Sequence, residues 1–274
     1  MKDIPNLGVG LMLKETSMSS YLKNQEKIDE ICDIYEILVS KYFLGQNSSL
    51  DEIKGKITKP LLLHATWSSL GTDEEIEKKN LEELRNKLNS LVPLWWSDHL
   101  CFNGVKGIQT GTLLPPILTS HSKEIFIKKI KFLKKEFKIP FLIENVPFLF
   151  NPIGEIDYFS FITDIISETN SGIVLGIDNL VESKKFYNID PFNFIDNLPL
   201  ENIIQIHCPL EENKSTQYDE ILEYISTKKE IKPRALIWQP KDEVLLDFND
   251  EVVDKLKWSK NIFFEERESI GYNH

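Results

Sequence analysis

The chain has only three cysteines in 274 residues, Cys32, Cys101 and Cys208, odd in number and without paired spacing. That excludes a disulfide framework and a thiolate-held structural zinc, and leaves buried free thiols as the expectation. No apolar segment approaches the roughly 18 residues needed to cross a bilayer. The N-terminal MKDIPNLGVGL lacks the apolar core of a signal peptide, so a cytoplasmic protein that does not engage a membrane is expected. Clustered basic residues are also scarce. With 32 Lys and Arg against 43 Asp and Glu the net charge is −11, and the stretch from Lys128 to Lys135 fits the wet face of a helix. A phosphate backbone is bound through grouped Lys and Arg, so no nucleic-acid partner is expected. A Gly-rich phosphate loop is missing too. Gly8-Val9-Gly10 is too short for the dinucleotide fingerprint, which argues against an open doubly wound sheet.

Histidines number only five, and three of them stand at the ends of apolar runs. These runs are LLLHAT around His64, LWWSDHL at Asp98 and His99, FLIENV at Glu144, IVLGIDN at Asp178, IIQIHC at His207 and ALIWQP at Gln239. Runs of four to six Leu, Ile and Val residues suit strands buried on both faces. Polar residues at their C-terminal ends lie where a β/α barrel places its chemistry.

Eight strands are expected, over Leu7 to Leu11, Ile34 to Leu38, Leu61 to Ala65, Leu94 to Ser97, Pro140 to Glu144, Ile173 to Ile177, Ile203 to His207 and Ala235 to Trp238. Between them lie amphipathic patterns at Ser20 to Asp29, Asp73 to Leu91, Ser122 to Phe137, Tyr158 to Glu168, Pro191 to Asn197 and Asp219 to Lys228. Thr72 followed by Glu75 resembles a capping box for the second of these, with Ile76, Leu84, Leu88 and Leu91 on one stripe. Alternation of this kind predicts an α/β fold, a single TIM-like (β/α)8 barrel over 1–274, with 241–274 an extension beyond the eighth strand. The insertion from Asn103 to Thr119, rich in Gly and Pro, is expected to be an active-site loop.

A metal ion at the mouth of such a barrel needs imidazole and carboxylate donors converging from different strands. His64, His99, Glu144, Asp178 and His207 meet that requirement, and a mixed nitrogen and oxygen set suits iron, manganese or zinc. Asp98 competes with His99 for the inward direction, because adjacent strand residues point to opposite faces. Cys208 should for the same reason point away from His207. Glu144 ends a strongly apolar strand and needs a cation or strong donor as partner. Asn145 fits a supporting role beside it. Glu36, ending the run IYE, is a weaker candidate of the same sort. Asp178 is a candidate ligand, with helix capping as its alternative role. Trp67, Trp95, Trp96 and Trp238 lie near strand ends, where pocket walls and core packing are both open.

In order and spacing, LGVGL, LLLHATWSSLGT, WWSDHLCF, LLPPILT, FLIENVP, GIVLGIDNLVES, FYNIDPFNFIDNLP, IIQIHCP and PRALIW resemble the DUF692 family of multinuclear non-haem iron-dependent oxidases, over roughly residues 7 to 240. The resemblance implies a xylose-isomerase-like barrel with iron at its C-terminal mouth. It implies metal-ligand roles for His64, His99 within Ser97-Asp98-His99, Glu144 and His207. The chain also departs from the family pattern. Gly176 stands where the family has an Asp, with Asp178 two residues later on the same strand face. Glu211 falls at the family's second histidine of the His207 segment, as a carboxylate replacement, and Ser17 near an N-terminal histidine. The Asp-Thr-His-Asp segment is absent from EENKSTQYDE, and the closing Ile-Glu-Trp-Asp becomes Ile237-Trp238-Gln239-Pro240.

The resemblance thus implies an oxidoreductase that holds one or two iron ions of an incomplete cluster and uses dioxygen as co-substrate. A peptide or amino-acid-derived substrate follows, in natural-product biosynthesis, together with a substrate-recognition partner protein. Asp98 and Asp178 are the candidates for catalytic proton transfer, while His64, His99, Glu144, His207, Asp178 and Glu211 are the candidate metal ligands. Two other readings compete: a divalent-metal isomerase or hydrolase on the same barrel, and a degenerate barrel that binds a peptide or partner subunit without catalysis.

Overall fold

The computed structural model describes residues 4–39, 55–105, 108–210, 216–240 and 248–265. Eight parallel strands close on themselves in the order β1, β10, β9, β8, β7, β4, β3, β2. They are β1 (Gly8–Leu13), β2 (Ile34–Val39), β3 (Leu61–Ala65), β4 (Trp96–His99), β7 (Phe141–Glu144), β8 (Gly172–Gly176), β9 (Ile203–Leu210) and β10 (Ala235–Pro240). An antiparallel hairpin, β5 (Phe102–Val105) and β6 (Ile108–Leu114), follows β4 outside the barrel. The expected closed α/β barrel is therefore present, and every expected barrel strand appears with its ends shifted by up to three residues. The hairpin fills the segment expected to be a loop.

The described helices are α1 (Met18–Asp29), α2 (Lys78–Leu91), α3 (Ser120–Phe137), α4 (Tyr158–Thr169), α5 (Ile177–Tyr187), α6 (Pro191–Asp196), α7 (Thr216–Thr227) and α8 (Asp250–Phe263). Side-chain caps start several of them. Thr119 Oγ1 accepts from Ser122 N at 3.2 Å, Asp157 from Ser160 N at 2.9 Å and Asn249 from Val252 N at 3.1 Å, each satisfying an orphan amide of a first turn. The capping box expected at Thr72 does not form. Helix α2 starts only at Lys78, and the Thr72 hydroxyl donates to the Gly104 carbonyl instead, tying the β3 exit to the hairpin.

Helices cover the outer face of the sheet. The α3 stripe of Phe126, Ile130 and Leu133 is fully buried, each side chain stabilising the fold by about 1.5–3 kcal/mol. Trp96 packs against Phe137 and Phe141, and Trp238 donates to Ser259 Oγ of α8 at 3.1 Å, so both tryptophans belong to this outer layer rather than to a pocket. Cys208 is buried on the same side, as alternation required.

A second apolar cluster fills the barrel floor: Ile4, Met12, Ile34, Leu62, Trp95, Leu142, Val174, Ile204, Ala235 and Ile237. Ile237 is thus the inward residue of β10 and Trp238 the outward one. Ile237 therefore offers the interior no donor at this strand. Glycine at position 10 allows β1 to approach β2, because a Cβ there would collide with the Ile34 carbonyl. Above this floor the inward side chains become polar.

Candidate metal centre

The polar layer begins where four strands end. His64 on β3, His99 on β4, Glu144 on β7 and His207 on β9 all point into the barrel, and each is at least 94% buried. Three imidazole nitrogens surround one carboxylate oxygen. Glu144 Oε2 lies 3.3 Å from His64 Nε2, 3.5 Å from His99 Nε2 and 3.0 Å from His207 Nδ1. The rings pack edge to face, His64 against both His99 and His207.

Neighbouring groups fix these side chains. Ser97 Oγ is 2.7 Å from His64 Nδ1, which directs Nε2 toward Glu144. Strand β4 extends through His99, two residues beyond its expected end, so alternation settles the competition at this point: His99 turns inward and Asp98 outward. Asp98 accepts hydrogen bonds from Ser68 N at 3.0 Å, from the Ser68 hydroxyl and from His99 N at 2.7 Å. It anchors the β3 exit loop behind His99. Asn145 pairs with the Gly176 backbone in both directions, at 2.8 and 3.1 Å. Asn179 donates to Glu144 Oε1 at 3.2 Å and to the Asn145 carbonyl at 2.7 Å.

Glu36, on β2, joins the cluster from the far side. It is fully buried, with Oε2 2.7 Å from His207 Nε2 and Oε1 accepting from Gln205 Nε2 at 2.8 Å. Gln205 Nε2 also lies 2.6 Å from His207 Nε2, and Gln205 Oε1 accepts from Trp95 Nε1 at 2.6 Å. Gln205 escaped the sequence reading, although its two-residue spacing from His207 places both on one strand face.

The charges are arranged in opposed pairs. Burial opposes the His207 imidazolium, but Glu36 and Glu144 outweigh it and push its pKa up to about 10. Burial likewise opposes the Glu144 carboxylate, which His207 and His99 nonetheless hold below the usual carboxylate range. Glu36 is held low against burial by His207. Glu144 and Asp98 raise His99 in spite of burial. His64 goes the other way. Burial, with His99 and His207 alongside, drives it well below the ordinary imidazole value, so the His64 ring favours its neutral form.

This donor set fits a divalent transition metal. Nitrogen and oxygen donors bound to one ion at about 2.1 Å lie roughly 3.0–3.4 Å apart in octahedral or tetrahedral sites. The separation of 3.3 Å from Glu144 to His64 falls in that range, and that of 3.5 Å to His99 lies just beyond it. Among the described residues, the ion-pair partners of both buried carboxylates are histidines alone. Two donor groups result, His64 with His99 and Glu144, and Glu36 with His64 and His207.

The remaining candidates lie elsewhere. Asp178 is not on the strand face of Gly176. Strand β8 ends at Gly176, and Asp178 sits in the first turn of α5, where Tyr218 Oη donates to it at 3.1 Å. It belongs to neither donor group. Glu211 lies outside the described residues, and Ser17 bonds to the Lys14 backbone at the start of α1.

Residues 8–223 match the RiPP precursor modification enzyme family MbnB/TglH/ChrH. The chain belongs to that family. Family relatives include a UPF0276 protein of Caulobacter vibrioides, 25% identical over 205 residues, covering 73% of this chain and 71% of the relative. A UPF0276 protein of Anaeromyxobacter sp. is 22% identical over 259 residues, covering 93% and 87%. Among solved structures, D-psicose 3-epimerase from Clostridium cellulolyticum H10 is similar at a TM-score of 0.57 and 13% identity, covering 93% of this chain and 99% of that one. A sugar phosphate isomerase/epimerase from Parabacteroides distasonis gives 0.55 and 9%, covering 92% and 96%. At these identities the sugar enzymes establish the xylose-isomerase-like fold and nothing of the chemistry. The family membership agrees with the DUF692 resemblance.

Proposed function

We propose that this family member is a metal-dependent oxidase that modifies a ribosomally made peptide, with iron as the metal and dioxygen as co-substrate. The observation that carries the reading is the convergence of His64, His99 and His207 on one buried oxygen of Glu144 at the barrel mouth. His64, His99 and Glu144 would hold the ion. Bound there, iron would supply one-electron chemistry and open positions for dioxygen and substrate.

The chain's own residues prepare that site. Ser97 holds the His64 tautomer, Asp98 fixes the backbone of His99, and Asn179 steadies the second oxygen of Glu144. Strand and helix packing around them excludes water, which keeps the donor geometry fixed. Asp178, at the C-terminal end of β8, stands at the rim, where a carboxylate serves substrate proton transfer better than ligation.

Metal analysis of the purified chain, before and after anaerobic reconstitution with Fe(II), tests the reading. Near-stoichiometric iron, together with dioxygen consumption that depends on a Cys-containing peptide encoded beside the gene, is the expected result. Less than about a tenth of an ion per chain after reconstitution would sink it, because a preformed donor set retains its metal. Zinc or manganese retained with no dioxygen consumption would favour the isomerase or hydrolase reading instead.

A further inference from the structure

Charge is unevenly spread around the barrel mouth. Of the whole chain 27% is charged, yet no Asp, Glu, Lys or Arg falls between Lys106 and Lys123, nor between Glu144 and Glu155. Both stretches continue from donor strands. The first follows His99 and carries β6 and the approach to α3, and the second leads from Glu144 to α4. Uncharged stretches of this length ordinarily belong to the core, but these are on the surface. Ile108, Ile117 and Ile153 are 72%, 57% and 67% exposed, and Leu113, Leu114 and Phe150 are partly exposed.

The two stretches are joined. Leu118 N donates to the Ile153 carbonyl at 2.7 Å and Glu155 N to the Leu118 carbonyl at 3.0 Å, a parallel bridge between Leu118 and Gly154. A Cβ on Gly154 would collide with the Leu118 backbone, so this close approach needs glycine. Ile117 and Ile153, each one residue ahead of the bridge, therefore stand side by side in solvent. From Ile117 the uncharged surface runs back through Leu114 and Leu113 along β6 to Ile108. Its border is acidic. The Thr72 hydroxyl, bonded to the Gly104 carbonyl at 2.6 Å, holds the segment after β3 against β5, and that segment exposes Asp73, Glu75 and Glu77.

We propose that these two loops are the wall on which the substrate peptide docks, selecting an apolar segment beside the modified residue and rejecting an acidic one, a proposal that rests on the peptide-oxidase reading of the site. Position identifies the occupant. A peptide that reaches His99 or Glu144 from this side of the mouth must lie along the loops into which those strands continue. Chemistry identifies the segment. A wall without charge leaves a covered Lys, Asp or Glu unpaired, whereas apolar side chains gain by leaving water there. Clustered exposed apolar residues are a mark of such contact surfaces, and the acids at the border repel Asp and Glu.

The test is affinity selection from a synthetic peptide library, each member with a fixed central Cys flanked by randomised positions, on the full-length chain reconstituted with Fe(II). Retained peptides are sequenced, and bound iron per chain is counted. Wild type should enrich Leu, Ile, Val and Phe on one side of the Cys by about threefold or more and deplete Asp and Glu. Ile117→Glu combined with Ile153→Glu should abolish the enrichment with iron unchanged. If circular dichroism shows that this pair does not fold, Ile117→Ser with Ile153→Ser replaces it, with the same loss expected. Phe186→Glu, an exposed apolar position in the last turn of α5, should select like wild type. No enrichment by wild type, enrichment that survives in the double variant, or a double variant that loses its iron as well would overturn the docking wall. Iron bound without peptide selection would leave the oxidase reading standing alone. Selection by a chain that binds no iron would keep the wall and overturn the oxidase.

Discussion

His64 and Glu144 stand on strands β3 and β7 with β4 between them, yet His64 Nε2 and Glu144 Oε2 are 3.3 Å apart. Only a strongly curved sheet brings alternate strands that close, which is how a barrel mouth assembles donors remote in sequence. Because both groups are direct donors in the proposed site, Glu144→Gln or His64→Ala should lower metal affinity by more than the roughly 10–100-fold typical of losing an outer-shell partner. Competition titration with a chelating dye checks this. Affinity within threefold of wild type would remove these residues from the ligand set.

Ser97→Ala tests the support behind His64. The hydroxyl 2.7 Å from Nδ1 orients the ring without facing the ion, so its loss should cost about 10–100-fold in metal affinity. The fold and the number of ions bound should be unchanged. Equilibrium dialysis separates the two quantities.

Gly176 is glycine for want of room. A Cβ there would run into Glu144 Oε1 and come within 2.6 Å of Asn179 Nδ2, both held by hydrogen bonds in a buried layer. Gly176→Ala should therefore destabilise the chain by about 1–3 kcal/mol through overpacking, and Gly176→Asp by more. Adding Asn179→Ala removes only the farther of the two contacts, together with the hydrogen bonds to Glu144 Oε1 and the Asn145 carbonyl, so the double variant should not recover the Gly176→Ala loss in urea melts.

Val92 closes α2 in the left-handed region, at φ 48° and 70% exposed. A β-branched residue pays about 1–2 kcal/mol in that conformation, whereas glycine pays none but loses more chain entropy on folding. Val92→Gly should raise stability by roughly 0.5–1 kcal/mol in urea melts, with metal binding unaffected.

Lys129 of α3 reaches the backbone carbonyls of Ser69 and Thr72 on the β3 exit, and burial pushes its ammonium down to about 8. The unfolded chain keeps this proton up to about 10.4, so between pH 8 and 10.4 it binds more protons than the folded chain. The Lys129 contribution to stability therefore rises with pH across that window. The stability of wild type relative to Lys129→Met should be greater at pH 9.5 than at 7.5. A pH-independent difference in urea melts would count against the burial of this charge.

Much of this was legible in the sequence because parallel barrel strands are buried on both faces and leave continuous apolar runs. LLLHA, FLIE and IIQIH show both the strand and the donor at its end. Helix α5 was not legible, since the strand IVLG runs straight into IDNLVESKKFY with no connecting turn to separate strand from helix. The β5 and β6 hairpin, FNGV and IQTGTLL, lacks the strict alternation that marks a half-buried strand. The inward residue of β10 was not legible, because Ile237 and Trp238 are both large and apolar and the run carries no parity signal. Glu36 did carry one, as a lone acid inside an apolar strand, but its reach to His207 depends on closure of the barrel.

Strand β8 enters α5 with no connecting residues, whereas the passage from β4 to α3 spans 100–119 and holds a hairpin of its own. The two sides of the mouth therefore have different evolutionary freedom. At β8 there is no segment to lengthen, so change is confined to single substitutions among residues already locked to Glu144. The β4 side can gain or lose whole turns without disturbing a donor. Divergence in what relatives of this chain recognise should accumulate there, as insertions and deletions above a metal layer that stays the same.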